Sequence, residues 1–297
     1  MQYVSPLSFL PATSGDKLSP GELKLARHKL LAEFELTGAA SIAVNGKELS
    51  RSDVLKLFDQ LGQSGDVAFH ALVASDTVLL YFLDKHALHP GDKFSIPEEK
   101  VTPEFIEWIS PYFSWAFEKA TIRIFKDVCP EEFETLIVNP HYMTAGAEWA
   151  AWNSVEKFLH MRFSEFSEIN NAKYHSALQV QKFAGYNFAW LLCNVPPERF
   201  QPELNDYAFE LMRMAIKEFN TGKRDSAFEI LGYARSLKVS EDTMQSLLAK
   251  EAEMQKIVKT KTRSDSNQSL WWVLRVALFA VYIIAQLSRG CNSSHNY

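Results

Sequence analysis

The chain has 297 residues, of which 47% are hydrophobic and 13% aromatic, and carries a net charge of −5. Such aromatic content favours a well-packed interior or a recognition surface over disorder, and the acidic balance offers no footprint for nucleic acid. The length suffices for one large helical domain or two smaller ones.

Residues 1–20 carry Pro6, Pro11, Gly15 and Pro20 and are expected to be irregular. The start, Met1-Gln-Tyr-Val-Ser-Pro, lacks the basic and apolar regions of a signal peptide. Leu23, Leu30, Leu31 and Phe34 mark one face of a helix over 21–36, stopped at Thr37-Gly38. Ser41 to Leu49 is the strongest strand signal, two short arms around Asn45-Gly46, the preferred residues of a type I′ hairpin turn. A lone hairpin is marginal in water, so it must pack against helices. Ser52-Asp53 can cap a helix over 53–61 with Val54, Leu57, Phe58 and Leu61 apolar. A strongly apolar stretch, 66–88, follows; its run Val78 to Leu83 is too short to cross a bilayer and reads as a core helix. Pro90 to Pro103 reads as a loop. Thr102-Pro103-Glu104 then opens a helix reaching about Val128, interrupted at Pro111. Further helices are expected over 130–137, 143–168, 172–194, 202–220, 224–237 and 241–261, with stops at Asn139-Pro140, Asn170-Asn171, Pro196-Pro197, Thr221-Gly222 and Lys238-Val-Ser240. The fold class is mainly α: a multi-helix bundle or helical-repeat array over 21–261 with one short β-hairpin near 41–49, and a sub-boundary near 196–201.

The sharpest feature is Leu270 to Leu287, apolar but for Arg275 and Gln286. As a helix it covers roughly 27 Å, a little under one hydrocarbon core, and so predicts a transmembrane helix. Trp271 and Trp272 stand at the expected water–lipid boundary, while Phe279 and Tyr282 lie within the apolar run. A central Arg costs about 2.5–3.5 kcal/mol, but Arg275 lies just over one turn inside and can snorkel to the headgroups. A buried core helix or a helix lying flat on the membrane are the alternatives, the latter disfavoured by apolar residues around the whole circumference. Residues 262–269 read as a polar tether and 288–297 as a short tail. Lys256, Lys259, Lys261 and Arg263 precede the segment and only Arg289 follows closely, which places the bulk of the chain in the cytoplasm. The expectation is a tail-anchored, single-pass protein.

Motifs that carry chemistry are few. Gly-x-Gly, phosphate-loop, Gly-x-Ser-x-Gly and His-Glu-x-x-His patterns do not occur, and no cofactor is implied. Glu156 and His160 have the i, i+4 spacing of a helix-surface pair. Asp84, His86 and His89 would share a face if helical, which makes them a candidate metal set; the competing reading is two His at a helix end, where they complement free carbonyls. Trp149, Trp152, Val155, Phe158, Leu159 and Phe163 form a stripe of helical period, a core face or a stacking wall; Tyr186, Phe188 and Trp190 read likewise. Glu131, Glu132 and Glu134 sit at a helix start, where acids complement the dipole. Cys129 and Cys193 read as reduced core residues, and Cys291 as a solvated residue, with lipidation or an intermolecular disulfide as the alternatives.

Residues 208–238 show small and large residues alternating at helical spacing: Leu211, Met214 and Ala215, then Ala227, Leu231, Ala234 and Leu237. The stretch resembles a single tetratricopeptide repeat, a helix–turn–helix module in which Ala lets two antiparallel helices approach. Glu218 followed by Phe219 replaces the family's Tyr, and the proline after the second helix is absent; an ordinary helical hairpin shares the pattern. The resemblance implies a protein- or peptide-binding adaptor. A membrane-active effector, a ligand sensor and an enzyme with a pocket that motifs do not reveal are the alternatives.

Overall fold

The structure, a computed structural model, describes Tyr3 and residues 20–260 except 45–46, 63–65 and 173–175. The chain is mainly helical with one two-stranded antiparallel sheet, and it divides into two compact units. The first comprises the chain up to Glu165 together with Tyr186–Val195; the second comprises Phe166–Gly185 and the chain from Pro196 on. The predicted segment 270–287, with Leu270, Trp271, Trp272, Arg275, Phe279, Tyr282 and Leu287, lies outside the described residues, as do Cys291 and the Asn45-Gly46 turn.

The first unit begins with α1 (Pro20–Thr37), β1 (Ser41–Val44), β2 (Lys47–Ser50) and α2 (Arg51–Gly62). The strands pair Ile42 with Leu49 and Val44 with Lys47, the register of a two-residue connection. Ile42 and Leu49 point to one face and bury against Ala26, Phe34, Val54 and Phe58, so the hairpin is supported by the helices around it. Helix α2 starts earlier than Ser52-Asp53 suggests. The Ser50 hydroxyl accepts from the Asp53 amide at 3.3 Å, and the Asp53 carboxylate accepts from the Ser50 amide at 3.1 Å, a reciprocal capping box. These hydrogen bonds hold the Asp53 carboxyl below its ordinary range.

The apolar stretch at 66–88 is two helices, not one: α3 (Asp66–Ser75) and α4 (Thr77–Lys85), bent by 100°. Asp76 makes the break. Its buried carboxylate caps α4 by accepting from Leu79 at 2.9 Å, and it also takes the Ser95 amide. Val73, Leu79, Phe82 and Leu83 are buried, as a core pair requires, and no single described helix is long and apolar enough to cross a membrane. Helix α5 (Pro103–Asp127) opens as predicted, the Thr102 hydroxyl accepting from Phe105 at 3.3 Å. It is not interrupted at Pro111. That ring is exposed, while Ile109, Phe113, Ala116 and Phe117 are fully buried, so packing outweighs one missing backbone bond. Then come α6 (Pro130–Val138), α7 (Ala145–Ala151), α8 (Asn153–Asn171), α9 (Ala177–Ala184) and α10 (Tyr186–Cys193). The expected 143–168 helix is thus split at Trp152, and 172–194 at Gly185. A Cβ on Gly185 would stand 2.5 Å from the Gln181 carbonyl oxygen, so this extended break needs glycine. Phe82, Phe94, Phe105, Phe113 and Tyr142 form a continuous aromatic core with ring centroids 5.2–5.9 Å apart.

In the second unit α11 (Pro197–Asn220) begins at the Pro196-Pro197 step rather than at Pro202, which it carries in its interior on the exposed side. It forms a helical hairpin with α12 (Arg224–Ser236), and α13 follows over 241–260. Ala208, Leu211, Met214 and Ala215 of α11 and Ala227, Leu231 and Ala234 of α12 are buried along the hairpin. Gly222 turns the chain with φ of 89°. Glu218, only 2% exposed, accepts from Lys223 at 3.2 Å and lies 3.4 Å from the Ser226 hydroxyl, so it ties the turn together. The end of α8 docks on α11: the Lys217 ammonium donates to the Ile169 and Ala172 carbonyls, and Asn170 donates to the Glu210 carbonyl.

Candidate functional site

Backbone strain in the first unit gathers where the connection from α4 to α5 crosses α6. Only two non-glycine residues among those described have positive φ, His86 at 55° and Val128 at 56°. Each follows the end of a helix and donates its amide to the last turn, and for β-branched Val128 the conformation is costly. One ion pair links both places. Arg123 donates to Glu132 on α6 and to the His86 carbonyl at 3.3 Å, while Glu132 also accepts the Leu88 amide at 3.1 Å. The Glu132 carboxylate raises the Arg123 guanidinium above its ordinary value.

The same connection is strapped onto α6 further on. Asn139 accepts the Phe94 amide at 2.7 Å and donates to the Asp92 carbonyl at 2.9 Å; Thr135 accepts the Gly91 amide at 3.2 Å. Gly91 has φ of 86°, where a side chain would be strained. Between strap and helix lies a half-open cleft of about 330 Å³, lined by Pro90, Asp92, Lys93, Glu131, Glu134 and Val138 besides those two contacts. Two of the three glutamates at the α6 start therefore face a cleft, and the third anchors Arg123. Their positions in the sequence mark them only as complements to a helix dipole. The missing signal was long-range: the strap residues lie some 45 positions upstream of their partners on α6.

The candidate metal residues do not share a helix face, because α4 ends at Lys85. Asp84 pairs with Lys85 at 3.0 Å, His86 packs edge-on against Trp115 at 4.6 Å, and His89 stacks on Tyr81 at 5.5 Å. Glu156 and His160 do come together, with ligand atoms within 4.8 Å. Of the aromatic stripe, Trp152, Val155, Phe158, Leu159 and Phe163 are buried but Trp149 is 56% exposed. Tyr186 is exposed and Phe188 buried, the Arg162 guanidinium lying 4.5 Å from the Phe188 ring. Cys129 and Cys193 are half-buried and not joined in a disulfide. Burial, then Glu132 and Asp127, push the Cys129 thiol up, an environment opposed to a nucleophilic thiolate.

A second constellation in the first unit was not foreseen. Tyr3 is buried, its hydroxyl 2.9 Å from His70 Nδ1, with Trp108 and Tyr112 edge-on at 6.3 and 5.5 Å. His70 itself meets Trp108 edge-on at 4.7 Å, and burial pushes its imidazole down to about 4. It is therefore neutral at pH 7. No periodic pattern in the sequence around it marks Tyr3 as a core side chain. Compared with known protein families, curated proteins and solved structures, the chain matches none.

Proposed function

We propose that the protein is a tail-anchored membrane protein whose helical part faces the cytoplasm and binds a protein or peptide partner. The observation that carries the reading is the apolar segment 270–287, which begins ten positions beyond residue 260, where a helix with an exposed, basic end is last described. The adaptor half of the reading is supported by the α11–α12 hairpin. Small residues at its buried contact, Ala208, Ala215, Ala227 and Ala234, are what a tetratricopeptide-like hairpin uses to bring its helices together. A third helix follows after a short link, and the Ser240 amide before it donates to Asn205 of α11 at 2.9 Å. Phe209 and Leu248 remain exposed on this unit as apolar contact area.

Full-length protein is expected to stay with membranes through alkaline carbonate extraction, while the chain ended at Thr262 is soluble. Full-length protein that remains in the aqueous fraction without detergent would sink the anchor.

A further inference from the structure

The charge pattern of α13 changes along its length. In its middle, acids and bases are paired: Glu251 with Arg235 at 2.9 Å, and Glu253 with Lys250 at 2.5 Å. After Glu253 there is no carboxylate until Asp265, and Lys256, Lys259, Lys261 and Arg263 all fall in that interval. Lys256 and Lys259 lie three apart, on one exposed face, and neither makes an ion pair among the described residues. Ile257, next in sequence to Lys256, is 47% exposed, although it continues the face along which Thr243, Leu247 and Met254 are buried. Unpaired ammonium groups on flexible stems suit attraction to the phosphates of anionic headgroups.

We propose that the last two turns of α13, Met254 to Thr260, form a docking surface for anionic lipid headgroups. This rests on the reading that 270–287 holds the chain at a membrane. Residues 262–269 can span no more than about 28 Å even when fully extended, so an anchored chain keeps the α13 end near the headgroups. Lysines close to an anionic leaflet each contribute roughly fivefold in binding, and the attraction is screened by salt.

The test is amide hydrogen exchange of full-length protein reconstituted in vesicles of phosphatidylcholine alone or with about a third phosphatidylserine. Exchange over 254–260 is expected to slow roughly tenfold in the anionic vesicles. The slowing should vanish in 0.5 M salt, on the order of a 4–5 Å screening length, and in K256Q/K259Q protein. Equal exchange in both vesicles, or slowing that survives the double substitution, overturns the docking surface. Carbonate extraction of the same samples separates the two readings. Protein that resists extraction but shows equal exchange keeps the anchor and loses the surface. Protein that is extracted yet floats with anionic vesicles in a salt-dependent way keeps the surface and loses the anchor. Protein that is extracted and does not float overturns both.

Discussion

His70 is neutral in the fold because burial removes the water that would solvate an imidazolium, and its neighbours are rings and a phenol rather than a carboxylate. The consequence for stability has a definite sign. The unfolded chain takes up a proton near pH 6.5, whereas the folded chain resists it down to about 4. This contribution is therefore complete above pH 6.5 and is lost as pH falls through that window, to the extent of about 3 kcal/mol. Urea unfolding at pH 7.5 and at pH 4.5 should show the loss, and His70→Phe should shrink the gap by most of that amount. An undiminished gap in the variant would assign the acid sensitivity to carboxylates instead. The same residue shows why site residues were hard to read. A lone His in an apolar run carries no spacing signal, and its partner Tyr3 is 67 positions away. Asp84, His86 and His89 show the opposite situation. Their spacing was suggestive, but it has meaning only on a helix, and the helix stops one residue before His86.

At the scale of elements, hydrophobic period and turn chemistry located most helices and the one hairpin, since both signals are local. The departures have local causes that only tertiary context activates. Asp76 reads as a flanking charge until its carboxylate is seen capping α4 and holding Ser95. Pro111 and Pro202 read as breakers, yet both rings face outward from helices whose other side is buried, so the lost hydrogen bond is outweighed. Glu218 looked like a defect in a repeat pattern; buried against Lys223 and Ser226, it closes the α11–α12 turn. The hairpin also offers a direct test. Ala227, on α12, has no exposed surface, and a close-packed interior holds no void the size of an indole ring. Ala227→Trp should overpack the contact and lower stability by about 1–3 kcal/mol. An unchanged melting temperature would mean the helices can separate there, and the repeat-like reading of the hairpin would go with it.

For the whole molecule, the chain path and the charge distribution bear on different questions. Tyr186–Val195 belongs to the first unit although Phe166–Gly185, just before it, belongs to the second. Phe188, Leu191 and Leu192 are buried, so neither unit can be cut from the chain as one uninterrupted piece. Basic residues on the near side of an apolar segment resist translocation, and four of them, Lys256, Lys259, Lys261 and Arg263, stand before 270–287 against Arg289 just after it. Acidic residues contribute little to this rule, so the chain's net charge of −5 does not weaken the argument. Protease added outside intact cells should therefore leave α1 to α13 uncut and become effective only once the membrane is opened by detergent. Replacing the four basic residues by Gln removes the asymmetry and should expose a fraction of the chain to the same protease. Complete digestion of the unmodified protein in intact cells would reverse the orientation, and protection that is indifferent to the four substitutions would show that something other than these charges sets it.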